Sequence, residues 1–328
     1  MGHSEAVTWR GALAVPMHQY QPALASPLGV RAIDACVWAR GYRCVAVIGA
    51  SKNAGKTTAL NALSAALTVR KERVGLCSVG VDGEATDAWL ATPKPAVEVQ
   101  RGMLVVTAQQ ALDAAPGRWK VLSTLPTPTS LGPTVLAEAR VEGPVMLCGL
   151  AHRGHLADAL AALRAAGADR VLVDGAYHRQ AAADAEGVDA LVLSVGALLP
   201  LHDALPTLRA LSTPPDCDLP QTLDVVGGLT DARLALLNLT GVCVLRVASQ
   251  GAVLLSSAGH ARLHRAGVVL TARLTRPLVC LTVNPHQPDG DDDPAAFFEH
   301  VQVWIAQNGL RTPILDVVSG AHTPAEHA

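Results

Sequence analysis

The run Gly49-Ala50-Ser51-Lys52-Asn53-Ala54-Gly55-Lys56-Thr57-Thr58 constrains this chain more than any other stretch. It follows the apolar residues Cys44-Val45-Ala46-Val47-Ile48 and opens onto Ala59-Leu60-Asn61-Ala62-Leu63-Ser64-Ala65-Ala66-Leu67. A buried strand, a loop of small residues, Gly-Lys-Thr and then an amphipathic helix build a cradle for phosphate. Backbone N–H groups of the loop and of the helix N-terminus converge on the anion. Lys56 supplies a point charge for the outer phosphates, and Thr57 offers a hydroxyl to Mg²⁺. Gly55 lets the backbone approach where a Cβ would intrude. Gly49, Ser51, Lys52, Asn53, Ala54 and Thr58 complete the expected nucleotide-binding loop.

Five residues separate Gly49 from Gly55, one more than the common pattern of Gly, four residues and Gly-Lys-Ser/Thr. The longer spacing resembles dethiobiotin synthetase and its relatives among P-loop proteins. Along the rest of the chain, short apolar runs alternate with Ala/Leu-rich helical stretches. Strands are expected at 43–48, 74–79, 103–107, 119–123, 145–149, 170–173 and 189–195. Helices are expected at 56–69, 108–114, 153–167 and 201–211. This alternation predicts an α/β fold with a mostly parallel sheet and helices on both faces. Strands that are apolar throughout fit a sheet buried on both sides. Ligands of such sheets bind beyond the carboxyl ends of the strands, where the phosphate loop sits.

The expected organisation has three parts. Residues 1–40 form an irregular arm with one short helix around 30–39, and residues 41–215 the nucleotide-binding domain. Residues 216–328 form a smaller C-terminal α/β region, either separate or continuous with the same sheet. The boundary is the Pro-rich segment Ser212-Thr213-Pro214-Pro215-Asp216-Cys217-Asp218-Leu219-Pro220. Beyond it, strands are expected near 222–226, 242–247, 252–255, 267–270, 277–283 and 313–318, with helices at 230–239 and 294–307.

Composition excludes several classes of function. The chain of 328 residues is 50% hydrophobic and 16% charged, with a net charge of −2 and no block of like charges. Electrostatic binding to nucleic acid or to an anionic membrane is not expected. Aromatic residues are scarce, which argues against base-stacking platforms. No apolar run reaches the ~18 residues of a membrane span. Seven scattered cysteines without paired spacing read as buried, reduced thiols of a cytoplasmic protein. The pairs His152/His155 and His260/His264 have helical spacing but lack a third ligand, so they read as ordinary histidines rather than metal ligands.

A phosphate loop needs an acid for its metal. Asp174 ends the run Arg170-Val171-Leu172-Val173 and precedes Gly175, which puts a carboxylate at the end of a buried strand near Mg²⁺. Asp82, in Ser78-Val79-Gly80-Val81-Asp82-Gly83-Glu84, is a second metal or catalytic acid, with a plain Asp-Gly turn as the alternative. Arg179, close to His178, can stabilise phosphate charge or sit on the surface. Thr124, Thr127 and Thr129 flank two prolines and either line a phosphoryl site or form a proline turn. Asn284, before Pro285, can present an amide to adenine or cap a turn. No guanine-reading Asn-Lys-x-Asp occurs, so ATP is favoured over GTP.

These motifs together resemble the small subunit of lysine 5,6-aminomutase reactivases, within the dethiobiotin-synthetase-like branch of P-loop NTPases. The resemblance rests on residues 51–58, Gly80-Val81-Asp82-Gly83-Glu84, Val173-Asp174-Gly175-Ala176, Arg179, Gly228-Leu229-Thr230-Asp231 and Val283-Asn284-Pro285. It spans roughly residues 41–318. It implies a slow ATP hydrolase that uses Mg·ATP to exchange damaged cobalamin on an adenosylcobalamin-dependent aminomutase. It also implies a second reactivase ATPase subunit, in a homo- or hetero-oligomer. Two other classes stay open: an ATP-dependent ligase or kinase resembling dethiobiotin synthetase, and a partitioning-type ATPase. The last places a signature lysine five positions before the loop lysine, where this chain has Ser51; Lys52 comes one residue too late.

Overall fold

The structure is a computed structural model that describes residues 25–51, 53–79, 96–129, 131–150, 153–175, 185–197, 200–217, 220–285 and 293–323. Its centre is a ten-stranded sheet built around β1 (Cys44–Gly49). On one side of β1 lie β9 (Arg170–Gly175), β2 (Val74–Val79) and β4 (Leu104–Ala108), followed by β6 (Gly132–Ala139) and the edge strand β5 (Trp119–Thr129). On the other side lie β10 (Ala190–Gly196), β16 (Leu278–Asn284) and β17 (Ile314–Leu315). A short β8 (Gly149–Leu150) pairs with the end of β2. Pairing is parallel except where β6 meets β4 and β5.

The mostly parallel sheet follows from buried, continuous apolar strands. β1 and β2 have no exposed position along their length. Alternate side chains feed two cores. Cys44, Ala46 and Ile48 face α4 (Arg153–Ala165), α5 (Leu201–Leu211) and α8 (Pro294–Gln307), through Leu156, Leu208 and Val301 among others. Val45 and Val47 face α1 (Pro27–Val37) and α2 (Lys56–Val69), through Ile33 and Leu60. Each helix packs on a stripe: α2 buries Ala59, Leu60, Ala62, Leu63, Ala66 and Leu67, positions three or four apart.

The antiparallel hairpin β5–β6 departs from the expected parallel pattern. Pro126 and Pro128 fall within β5, and the register shifts between Thr124 and Pro128. Proline cannot donate to a ladder, so an outer strand tolerates it where an inner one would not. The 216–328 span divides among three sheets, one of them the two-stranded pair β12 (Leu229–Thr230) and β14 (Val253–Leu254). β11 (Thr222–Val225), β13 (Val244–Ser249) and β15 (Val269–Leu274) form their own parallel sheet, whereas β16 and β17 extend the central one. On the small sheet pack α6 (Asp231–Leu236) and α7 (Ser257–Arg265), around Leu234, Leu245, Val247 and Leu263.

Charged staples gather at the amino ends of the central strands. Arg170 donates to the carbonyls of Gly41 and Tyr42 and pairs with Glu72. Arg73 donates to the carbonyls of Ala166 and Gly102 and pairs with Glu138. Asp189 accepts from the amides of Arg43 and Cys44 at the start of β1. These bonds fix strand register at the opposite end of the sheet from the Gly49–Thr58 loop.

On the small sheet, hydrogen bonds from Arg246, with Arg273 beside it, hold the Asp224 carboxyl down to about 2 against an ordinary 3.8. A carboxylate lowered in the fold adds stability above its unfolded value and loses it as pH falls through the folded value. Denaturant stability is therefore expected to fall between about pH 4 and pH 2, and Asp224→Asn should make that fall shallower. An identical loss of unfolding free energy between about pH 4 and pH 2 in the two proteins, from urea titrations at each pH, would refute the pairing. The effect is small because the side chain is solvent-exposed.

Candidate functional site

β1 leaves the sheet at Gly49. The amide of Ala50 still donates to the carbonyl of Ser194 on β10 at 2.9 Å, and the loop then rises. A Cβ on Gly49 would lie 2.9 Å from Cδ and 3.0 Å from Cγ of Lys56, so the lysine stem folds back over the end of β1. Asn53 and Gly55 both take positive φ, 57° and 89°. That conformation suits glycine and is tolerated by asparagine. Gly55 is the N-cap of α2 and provides no side-chain cap, and the first turn carries no acid. The first-turn amides, from Lys56 onward, are thus left for an outside acceptor, at the positive end of the helix dipole.

The loop tip rests on two neighbouring strand ends. A Cβ on Gly196, the last residue of β10, would lie 3.1 Å from Cα of Ala54 and 3.2 Å from the carbonyl oxygen of Asn53. A Cβ on Gly55 would lie 2.7 Å from Cβ of Asn284, the last residue of β16. Asn284 Nδ2 donates to the Asn53 carbonyl at 3.3 Å. The amide expected to face adenine or cap a turn thus braces the Gly49–Thr58 loop. Ser194 Oγ and Thr282 Oγ1, 2.8 Å apart and buried, link the same two strands beneath the loop. Sequence reasoning missed this pair and Gly196. The available signal was the polar residue inside each otherwise apolar strand.

Asp174 lies one strand away, in register with Val47 of β1 and Ser78 of β2. Val171 and Val173 point into the α4–α5–α8 core and Leu172 into the α1–α2 core. By alternation, Asp174 shares the face of Leu172, which is the face α2 covers. The structure thus brings together Gly49, Ser51, Asn53, Ala54, Gly55, Lys56, Thr57, Thr58 and Asn284, with Asp174 beside them. Lys52, Asp82, His178 and Arg179 lie outside the described residues.

Other candidates are elsewhere. Thr124, Thr127 and Thr129 sit in β5, five strands from β1 in the sheet order. Thr230 caps α6 by accepting from the amide of Arg233, and Asp231 accepts from the amide of Ser256; both tie the small sheet's helices in place. A cleft beside the loop is lined by Ala50, Ser51, Gly196, Leu201, Asp203 and Ala204. Asp203 is a lining residue that no motif announced. Not every thiol is buried as expected: Cys36 and Cys217 are half-buried and Cys243 is exposed.

The chain matches no family model and no curated protein. Among the described residues no group of three or more His, Cys, Asp or Glu side chains is poised for a metal ion. No helix among them is long and apolar enough to cross a membrane.

Proposed function

We propose that this chain is a Mg·ATP-binding protein of the P-loop NTPase fold. The observation that carries this reading is the loop's setting: uncapped helix amides, with the Lys56 stem folded over Gly49. The sheet order adds support. From β1 the chain runs through α2 to β2 on one side, and it later returns to β10 on the other. The loop therefore stands at a topological switch point, the usual ligand crevice of open α/β sheets. The glycine cradle and free amides fit a polyphosphate. In this reading Lys56 neutralises the outer phosphates, Thr57 and Asp174 hold Mg²⁺, and Asp82 serves as a second acid. The metal would supply charge neutralisation at the phosphates.

The test is calorimetric titration with ATP, ADP and GTP, with and without Mg²⁺. ATP should bind, and Mg²⁺ should strengthen binding. Asp174→Asn should reduce the gain from Mg²⁺ about tenfold or more while sparing metal-free binding. Equal metal dependence in variant and wild type would remove Asp174 from the site.

For the target we propose a cobalamin-dependent aminomutase, on the strength of the motif combination. Binding of ATP and ADP with different affinities to two conformations can shift a partner's equilibrium. The assay mixes inactivated mutase with this chain, a second ATPase subunit, Mg·ATP and fresh adenosylcobalamin. Recovery should require ATP and fail with Lys56→Ala. Recovery that proceeds equally well without this chain would reject the reactivase reading. ATP-dependent consumption of a small carboxylate or amine would then identify the ligase or kinase alternative.

A further inference from the structure

Two thiols far apart in the chain meet between α1 and β16. Cys36, the last-but-one residue of α1, donates its S–H to the carbonyl of Val279 at 3.5 Å. That carbonyl belongs to the peptide bond leading into Cys280. Cys280 is a buried member of the apolar cluster under α1 and α2, Cys36 packs against that same cluster, and each thiol bears on the other's titration. Cys280 is fully buried, whereas Cys36 is half-buried at the helix end and so keeps a path to solvent.

We propose that Cys36 and Cys280 are a redox-active pair that closes to a reversible disulfide when Cys36 meets a hydroperoxide.

The surroundings give the two sulfurs different tasks. The neighbouring Cys280 thiol draws the Cys36 thiol below its ordinary value, and the charge of Arg40 acts in the same direction. Cys280 is held above its ordinary value by Cys36 and by burial, so it keeps its proton. By contrast, burial pushes Cys44 up to about 12 and Cys77 upward as well. A thiolate is the nucleophile in peroxide chemistry, which singles out Cys36 from these interior thiols.

The steps balance. The Cys36 thiolate attacks one peroxide oxygen and the O–O bond breaks. Cys36 becomes a sulfenic acid, oxidised by two electrons, and hydroxide or alkoxide leaves. Cys280 then attacks the Cys36 sulfur. The S–S bond forms, the S–O bond breaks, and the departing hydroxide takes the Cys280 proton as water. The product is a covalent staple between α1 and the strand whose end, Asn284, braces the Gly49–Thr58 loop.

The experiment uses the full chain, reduced and then treated with hydrogen peroxide, with free thiols alkylated under denaturing conditions before peptide mass mapping. The expected product joins the peptide holding Cys36 to the one holding Cys280, two hydrogens lighter than the pair and released by dithiothreitol. Closing so long a loop should raise the melting temperature by roughly 5 °C or more. In Cys280→Ser, or Cys280→Ala if the serine folds poorly, Cys36 should accumulate as a sulfenic acid that dimedone traps. A wild-type protein whose Cys36 proceeds to the sulfinic acid while Cys280 stays alkylatable would overturn the proposal. So would a disulfide joining Cys36 to any other cysteine.

Discussion

Lys56→Ala is expected to weaken Mg·ATP binding about 100-fold, or ~2.7 kcal/mol, without unfolding the protein. The magnitude follows from removing one partner of a charge-assisted contact and leaving phosphate charge facing the helix unneutralised. Lys56 also has a packing role, because its stem lies over Gly49. Lys56→Met keeps most of that stem and deletes the charge. If the loss is electrostatic, both variants should bind equally poorly by calorimetry, while the methionine variant melts closer to wild type. Wild-type affinity in a folded Lys56→Met protein would sink the phosphate role of this lysine.

The parts legible in the sequence are those whose determinants are local. The helix expected at 56–69 is α2, Lys56–Val69, because Gly55 ends the loop and the Ala/Leu spacing then repeats on one face. The helix at 294–307 likewise announces itself, with Asp293 capping Ala295 and Ala296 ahead of Pro294 at the first turn. Strand 74–79 is a mostly apolar run that starts directly after Arg73 and stops at Gly80. α7 escaped notice because it buries only Gly259 and Leu263 and is otherwise alanine, serine and basic residues. Its signal was Ser256, whose hydroxyl accepts from the amide of Gly259. β6 escaped because the prolines of β5 read as a turn, and only the sheet's outer position makes them acceptable in a strand.

The same division runs through the candidate site. Loop, lysine and following helix are contiguous, so their chemistry is written in one stretch. Asp174 is legible because a buried strand that ends in a carboxylate is a local pattern. The brace beneath the loop is not: Asn284 and Asn53 are 231 positions apart, and nothing in either segment announces the other. Their meeting depends on β10 and β16 following β1 in the sheet order. That order is a property of the folded sheet rather than of any window of residues.

Gly55→Ala should expose that hidden dependence. Position 55 holds φ at 89°, which costs an L-residue about 1–2 kcal/mol. The added methyl would also stand 2.7 Å from Cβ of Asn284, an atom fixed to the backbone of β16 rather than the free end of a flexible chain. Either the loop lifts or the end of β16 shifts, and both movements break the Asn284–Asn53 bond. Nucleotide binding should therefore become undetectable, and the melting temperature should fall by roughly 5–10 °C. The local strain and the contact can be separated by a cycle with Asn284→Gly, which removes the opposing Cβ. The double variant should be less destabilised than the sum of the two single ones, because the clash is gone while the φ cost stays. Strict additivity would mean that the methyl and Asn284 never meet. The loop would then be held by its own turn residues, and Asn284 would have no part in positioning it.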